Sequence, residues 1–313
     1  ELFTAGCPAA WVSLSHAVPL SGLSAMVGAP DHDGPVELGI PLDDQGSVYA
    51  YPLAAPAARM DLRRLNEMVL KQGSVVEFGE VAIGATGEAT IRITNTGDIL
   101  LTGIAMALEG EHQDDYTLTY DGGMTIDPGM TEEMLVEFKP MPAGTRCATL
   151  RVLSSDTEAS SVELTLKGTA APAEEVFGSA ILAAGLSGVE TLPGAEPFDD
   201  GIPNLLKYAF NMELARADAS TLGPGGDSGL PGHEVNTGDS GETIFVVEFI
   251  RRKGSGLVYT PKRADSPEND LFVPMTGAIQ IISIDDEWER VRVEERCPAD
   301  TPRCFSHVEV SLP

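Results

Sequence analysis

Residues 87–97 read Gly-Glu-Ala-Thr-Ile-Arg-Ile-Thr-Asn-Thr-Gly, and this stretch decides the fold class of the protein. Apolar and polar residues alternate from Ala89 to Ile93, as they do in a β-strand that has one face in a core. Residues 95–97 follow with the Asn and Gly that favour a tight turn. A half-buried strand that runs into a turn predicts antiparallel β-structure on both sides of it.

The same pattern recurs along the neighbouring sequence. Clusters of Gly, Asp and Pro separate the alternating segments, as expected for turns. Seven short strands within about 100 residues are typical of an immunoglobulin-like (Ig-like) sandwich. The predicted strands are residues 75–78, 89–93, 100–108, 116–118, 134–138, 148–153 and 162–166.

Motifs within residues 73–170 resemble the ASH, or choice-of-anchor D, module. Such modules occur in bacterial surface proteins and in eukaryotic cilia and centrosomes, where they act as spacers and docking surfaces. The resemblance implies an Ig-like fold and no active site. The motifs are Phe78-Gly79, residues 91–97, Ile126-Asp127-Pro128-Gly129, Val136-Glu137-Phe138-Lys139-Pro140 and Leu166-Lys167-Gly168-Thr169-Ala170.

The N-terminal residues predict strands at 11–14, 23–27 and 47–51. Residues 25–30, Ala-Met-Val-Gly-Ala-Pro, and residues 43–51 together resemble one FG-GAP repeat, the blade of integrin-type β-propellers. Calcium-binding repeats carry aspartates just before the Gly-Ala-Pro turn, and none is present there, so the resemblance implies a calcium-free blade. One blade cannot cover its own apolar face, so we expect it to pack against another domain or another copy of the chain, unless the chain is part of a longer protein.

The remaining sequence completes a mostly β fold class with one short helix. Residues 60–70 predict a short amphipathic helix or turn, and residues 215–240 predict a flexible connection. A last set of strands is predicted at 243–249, 257–260, 278–284, 288–293 and 307–312. The predicted domains are a blade with its linker (1–64), the Ig-like sandwich (65–170), a linker with a loop and helix (171–240) and a C-terminal β domain (241–313).

Residues 196–207 have the length and the central glycine of an EF-type calcium loop. Glu196, Asp200 and Asn204 occupy ligand positions and are the candidate metal ligands. Phe198 and Lys207 stand at two further ligand positions, where neither side chain can supply an oxygen. We therefore favour a degenerate loop that caps a helix, with a calcium site as the alternative.

The second half of this loop and the residues after it carry a further resemblance. Residues 200–210, Asp-Gly-Ile-Pro-Asn-Leu-Leu-Lys-Tyr-Ala-Phe, resemble a segment of secreted proteins from Verrucomicrobia-like bacteria. A C-terminal β domain follows that segment in those proteins and usually ends them, so we expect Pro313 to lie at or near the natural C-terminus. The chain starts at Glu1 and not at a methionine, which favours a processed form or a fragment.

The four cysteines allow three pairings. Cys297 and Cys304 bracket a turn between two predicted strands, which favours a local disulfide. Cys147 is predicted to point outward from its strand, and Cys7 is its one remaining partner in the chain. The alternative for Cys147 is a link between two chains. The spacing of the cysteines and histidines does not predict a zinc site.

The net charge of −28 comes from 48 acidic and 20 basic residues that are spread over all parts of the sequence. Such a surface repels phosphate backbones, so it argues against nucleic acids and anionic membranes as partners. No stretch reaches the roughly 18 apolar residues that a membrane helix needs. The acids are interpreted as a solvated surface, with divalent-cation binding as the alternative.

No motif of a catalytic site is present in the sequence. The five histidines are scattered, and paired acids such as Asp199-Asp200 are adjacent residues in predicted turns. The one basic run, residues 251–253, is interpreted as a strand end. We expect no cofactor unless calcium binds.

The sequence leaves three function classes to consider. The favoured hypothesis is a bacterial extracellular or cell-surface structural protein that binds copies of itself, or other surface proteins, in a layer, filament or matrix. The alternative is the C-terminal binding or spacer region of a larger secreted adhesin or polysaccharide-active enzyme. A secreted hydrolase is the third, and no sequence feature supports it.

Overall fold

The computed structural model describes residues 20–21, 24–29, 47–52, 55–237, 242–264, 272–296 and 305–313. The chain divides into two compact units, Glu1–Ala57 and Ala58–Pro313. In the first unit, three antiparallel strands form a sheet in chain order: β1 (Leu20–Ser21), β2 (Ser24–Ala29) and β3 (Ser47–Pro52). β3 contains the predicted strand at 47–51, and β2 contains residues 24–27 of the strand predicted at 23–27. Residue 23 and the strand predicted at 11–14 lie outside the described residues.

The second unit begins with an Ig-like sandwich. Its strands are β4 (Met60–Arg64), β5 (Val69–Leu70), β6 (Val75–Ala82), β7 (Gly87–Asn95), β8 (Leu101–Thr102), β9 (Ala105–Glu109), β10 (Tyr116–Tyr120), β11 (Thr125–Ile126), β12 (Thr131–Phe138), β13 (Gly144–Leu153) and β14 (Ser161–Ala171). One sheet has the order β10-β12-β7-β4-β5 and the other β6-β14-β13-β9, with β8 and β11 as a short separate pair. All seven predicted strands are confirmed, the third as two pieces, β8 and β9.

Of the two alternatives predicted at residues 60–70, the helix is wrong, and a turn is present only at residues 65–66. The segment forms β4 and β5, and β4 pairs antiparallel with β7, with Leu62 opposite Ile93. Leu62 points into the core and is 2% exposed. Met, Leu and Arg are good helix formers, so local propensity favoured a helix, and the pairing with β7 overrode it.

The core of the sandwich lies between its two sheets. β7 shows strict alternation, with Ala89, Ile91 and Ile93 fully buried. Phe138 at the end of β12 is also fully buried and stacks on Tyr116, with 4.8 Å between the ring centroids. The alternation that predicted the strands therefore also marks the residues that hold the sheets together.

Two helices follow the sandwich, α1 (Ala173–Ala183) and α2 (Asn204–Ala209). Phe177 and Ile181 of α1 are buried with Tyr208 of α2 in one apolar cluster. The predicted linker at 171–240 therefore contains two helices that pack against each other. The prediction of a helix after the loop is confirmed by α2.

The C-terminal part of the second unit, residues 232–313, contains two sheets and is called the C-terminal domain below. Its strands are β15 (Gly232–Thr237), β16 (Thr243–Arg252), β17 (Val258–Ala264), β18 (Val273–Pro274), β19 (Ala278–Ser283), β20 (Trp288–Arg296) and β21 (Phe305–Ser311). The sheet orders are β15-β16-β20-β19 and β18-β17-β21. Phe245, Phe249, Val291 and Val293 lie in the core of this domain. The mostly β fold class is confirmed.

Residues 232–237 differ from the flexible connection predicted at 215–240. They form β15, which pairs antiparallel with β16 along its whole length. Most β15 side chains are exposed, so the segment carries no alternation of buried and polar residues. Main-chain hydrogen bonds to β16 form this strand, and sequence patterning does not report them.

Candidate functional site

The loop at 196–207 closes around a lysine side chain. Lys207 on α2 is fully buried, and its Nζ lies 2.5 Å from Oδ2 of Asp200. The same ammonium donates a hydrogen bond of 2.8 Å to the carbonyl oxygen of Arg216 and lies 4.9 Å from the centroid of the Phe198 ring. Asp200, one of the predicted metal ligands, therefore pairs with the Lys207 ammonium.

The other two candidate ligands have different surroundings. Glu196 is exposed, whereas Asn204 is fully buried at the start of α2. The side-chain amide of Asn204 donates hydrogen bonds to the carbonyl oxygens of Glu190 at 2.7 Å and Leu192 at 3.1 Å. Asn204 thus fastens the turn before the loop to α2. No group of three or more His, Cys, Asp or Glu side chains with metal-binding geometry occurs in the described part of the chain.

The pKa of Asp200 reflects these contacts. Burial raises the pKa of this carboxyl, but hydrogen bonds from Lys207, Asp218 and Ile202 outweigh burial and lower it from 3.8 to about 2. Stability from this carboxylate is therefore present above its ordinary pKa and is lost as the pH falls towards 2.

Cys147 is the one cysteine among the described residues, and it is exposed on β13 as predicted. Its backbone N–H donates to Nδ1 of His112 at 3.0 Å. Cys7, Cys297 and Cys304 lie outside the described residues, so both pairings stay predictions.

The basic run at residues 251–253 lies at the junction between the Ig-like and C-terminal domains. β16 ends at Arg252, which confirms the interpretation as a strand end. The Arg252 guanidinium lies between two aromatic rings, 4.4 Å from the Tyr208 centroid and 4.1 Å from the Trp288 centroid. Nε of Arg251 lies 2.6 Å from a carboxylate oxygen of Glu289. Both cations therefore have partners within the protein.

Lys253 joins the two domains directly. Its side chain is 5% exposed, and its Nζ lies 2.6 Å from Oε2 of Glu88 in the Ig-like domain. The same ammonium donates 2.8 Å hydrogen bonds to Oγ of Ser283 and to the carbonyl oxygen of Asp285 in the C-terminal domain. One cation therefore binds oxygens of both domains.

A second ionic contact lies beside Lys253. Asp286 accepts a hydrogen bond of 2.7 Å from Arg64 and one of 2.8 Å from the backbone N–H of Thr90. An open cleft of about 860 Å³ lies at the same junction and is lined by residues from both domains. Because Glu88 and Arg251 on its walls are paired with protein groups, the cleft does not present them as unpaired charges to a ligand.

We expect Lys253→Met to lower the free energy of unfolding by about 2 kcal/mol, because it leaves the Glu88 carboxylate at the junction without its cation. Glu88 keeps some access to water, with a side-chain exposure of 25%, which limits the loss. Urea-induced unfolding measures the effect. The double variant Lys253→Met/Glu88→Gln should lose less than the single variant, and an equal or larger loss would show that the pair is not coupled.

One histidine contact was missed by sequence reasoning. Oγ of Ser306 on β21 lies 2.8 Å from Nδ1 of His233 on β15. Burial lowers the pKa of His233, and no carboxylate bonds to this ring in the described part of the chain. A hydrolase triad also needs an acid that orients the histidine, and the described residues place none at this ring. The contact joins the edges of the two C-terminal sheets.

Strand β19 is an exposed edge. Among the strands that the structure describes, it is the last of its sheet and pairs with β20 on one side. Ile279 and Ile281 lie opposite the core residues Val293 and Val291, yet they are 62% and 51% exposed. Ile282, on the opposite face, is 49% exposed. Residues 277–284 contain no charged residue.

The comparison with known families agrees with the sandwich geometry. Residues 69–169 match the HYDIN/CFA65/VesB-like Ig-like domain family. This region is an Ig-like domain. The match extends from β5 to β14 and includes strands of both main sheets, whereas β4 precedes it. No curated protein matches the chain. No helix among the described residues is both long and apolar enough to cross a membrane.

Several solved structures are similar to parts of the chain. A protein of unknown function from Porphyromonas gingivalis W83 is 18% identical, with a TM-score of 0.29 over 47% of this chain and 63% of that chain. The chain thus spans less than two thirds of that protein. The ASH/PapD-like domain 7 of human CEP192 is 14% identical, with a TM-score of 0.27 over 39% of this chain and 92% of that chain. Domains 4 and 5 of the S-layer protein SbsC are 12% identical, with a TM-score of 0.25 over 47% of this chain and 57% of that chain.

Proposed function

We propose that the protein is a noncatalytic extracellular structural protein whose C-terminal domain binds a second copy of the chain through strand β19. The observation that carries the proposal is the exposed β19 edge with its three isoleucines. An edge strand presents unpaired backbone N–H and C=O groups that another strand can bind. The extracellular location is supported by the resemblance of the Ig-like motifs to modules that occur in bacterial surface proteins.

Charge favours a second copy as the occupant of this edge. Each copy carries a net charge of −28, so most contacts between copies bring acidic surfaces together. Residues 277–284 are uncharged, and antiparallel pairing of β19 with β19 of a second copy places this segment against itself. The pairing also brings together Ile279 and Ile281 of both copies, which are exposed in the single chain.

The aromatic residues do not favour the polysaccharide-binding alternative. Carbohydrate sites commonly stack sugar rings on exposed aromatic side chains. Within residues 55–237, 242–264, 272–296 and 305–313, no Phe, Tyr or Trp is exposed. Trp288 is 5% exposed and stacks on Arg252. These rings stabilise the fold in the described part of the chain.

Sedimentation velocity over a concentration series tests the proposal, with electron microscopy of the same samples for ordered assemblies. We expect reversible self-association of the unaltered chain. Ile279→Lys should weaken it at least about tenfold, because it places a desolvated ammonium at the strand–strand contact. The exposed position of Ile279 keeps the loss of folding stability small.

Val189→Lys is the matched control, because Val189 is 79% exposed and lies in a 3₁₀ turn and not in a strand. It makes the same charge change and should leave association unaltered. A chain that stays monomeric at every concentration would contradict the proposal. Equal weakening by both lysine variants would show that net charge, and not the β19 edge, governs association.

A further inference from the structure

We infer that the Lys207 ammonium is the permanent cation of loop 196–207, so that the segment between the two domains keeps its shape without calcium. The resemblance to a calcium loop implies a metal there, and the residues present do not fit one. The inference concerns the linking segment and is independent of the β19 contact.

The surroundings of Lys207 supply the oxygen types that a calcium ion prefers. A carboxylate oxygen of Asp200 lies 2.5 Å from Nζ, and the carbonyl oxygen of Arg216 lies 2.8 Å from it. The Phe198 ring adds a cation–π contact at 4.9 Å. The ammonium is fully buried, so its charge is balanced inside the protein and not by water.

The Asp200 carboxylate has little capacity left for a metal. Besides Lys207, Oδ2 accepts a hydrogen bond of 2.7 Å from the backbone N–H of Asp218. Oδ1 accepts one of 3.1 Å from the backbone N–H of Ile202. These bonds fix both oxygens within the loop. A calcium ion would have to displace the ammonium at this carboxylate.

The other ligand positions also do not fit calcium, which needs six to eight oxygens. Phe198 has no side-chain oxygen. Asn204 uses its amide N–H groups on two carbonyls and leaves a buried Oδ1 without a hydrogen-bond partner in the structure. One amide oxygen cannot replace the ligands that Phe198 and Lys207 remove.

Lys207 also holds the chain segment that follows α2. Its bond to the Arg216 carbonyl anchors residues 213–220. Within that segment, Asp218 accepts hydrogen bonds from the backbone N–H groups of Glu213 at 2.9 Å and Ser220 at 3.0 Å. Tyr208, the residue after Lys207, packs edge-on against Phe177 of α1. Loss of the ammonium should therefore loosen this segment first.

Limited trypsin digestion provides a local readout, because the Arg216 side chain is 72% exposed while its carbonyl is held by Lys207. Cleavage after Arg216, scored by mass spectrometry, should be slow in the unaltered chain and equal in calcium and in chelator. Lys207→Met should accelerate it at least about tenfold, since local opening governs cleavage.

Lys167→Met is the matched control, because Lys167 forms an exposed ion pair with Glu77 at 3.1 Å in the Ig-like domain. Trypsin should cleave this variant after Arg216 at the same rate as the unaltered chain. Equal rates for the Lys207 and Lys167 variants would overturn the inference. Faster cleavage of the unaltered chain in chelator would also overturn it, because calcium would then be the resident cation.

Thermal unfolding gives a second measurement. The midpoint of the unaltered chain should be the same with calcium and with chelator, and Lys207→Met should lower it by about 5 °C. The double variant Asp200→Asn/Lys207→Met removes the uncompensated carboxylate and should recover part of the loss. It also keeps the test available if the single variant does not fold. A midpoint that rises by several degrees with calcium would overturn the inference.

Discussion

Phe138→Ala is expected to lower the free energy of unfolding of the Ig-like domain by about 3–5 kcal/mol, the cost of removing a large buried aromatic ring. Phe138 is fully buried, and its ring centroid lies 4.8 Å from that of Tyr116 and 5.5 Å from that of Phe78. The substitution removes both ring contacts and leaves a cavity between the sheets. Urea-induced unfolding followed by tyrosine fluorescence and circular dichroism measures the loss.

Gly168 on β14 makes the position of this ring possible. A Cβ at Gly168 would overlap Cε1 of Phe138, so Gly168→Ala should also destabilise the domain. In the double variant Phe138→Ala/Gly168→Ala, the added methyl group occupies space that the Phe138 ring has left. The two losses of stability should therefore not add. Met124→Ala is the control, because Met124 is 75% exposed and should cost less than about 0.5 kcal/mol. A loss below about 1 kcal/mol for Phe138→Ala would contradict this description of the core.

Gly256→Ala should lower the free energy of unfolding by about 2–4 kcal/mol, because it combines an unfavourable backbone conformation with a steric overlap between the domains. Gly256 has a φ of +72°, and an added Cβ would lie 2.7 Å from Cβ of Ala82 and 3.1 Å from Cβ of Ala173. The neighbouring Gly254 accepts a hydrogen bond from the N–H of Ala82 at 2.7 Å. This turn is therefore in direct contact with the Ig-like domain.

Gly103→Ala separates the two causes. Gly103 has a φ of +66° and no atom within 4 Å of an added Cβ, so its variant should show the backbone cost alone, about 1 kcal/mol. Denaturant unfolding of both variants gives the difference. Equal losses would mean that the contact with Ala82 and Ala173 contributes nothing to the junction.

Several kinds of contact hold the junction between the Ig-like and C-terminal domains together. Lys253, Asp286 and the turn at Gly256 bind the C-terminal domain to the Ig-like domain through charge, hydrogen bonds and close packing. Lys207 and Asp200 hold the segment that connects them.

The strands of the Ig-like domain could be predicted because their signal is local. Residues 89–93 alternate in the sequence and alternate in burial, since side chains on successive strand residues face opposite sides of a sheet. Residues 60–64 and 232–237 could not be assigned in this way. Their strands form by pairing with β7 and β16, which are distant in the sequence.

The basic run shows the same division at the candidate site. Its position at a strand end could be predicted from residues 251–253 themselves. The partners could not, because Glu88, Tyr208 and the Trp288-Glu289 pair come from three separate segments of the chain. The sequence contains the charges, and the packing of the domains decides which of them pair.

By itself, the sequence determined the mostly β class, the Ig-like domain and the loss of ligand oxygens at residues 198 and 207. The reason is that strand alternation and side-chain chemistry are properties of neighbouring residues. Only the tertiary structure decided that Lys207 binds Asp200, that Lys253 joins the two domains and that β19 is an open edge. Each of these depends on which distant segments come together when the core is buried, and a linear pattern does not record that choice.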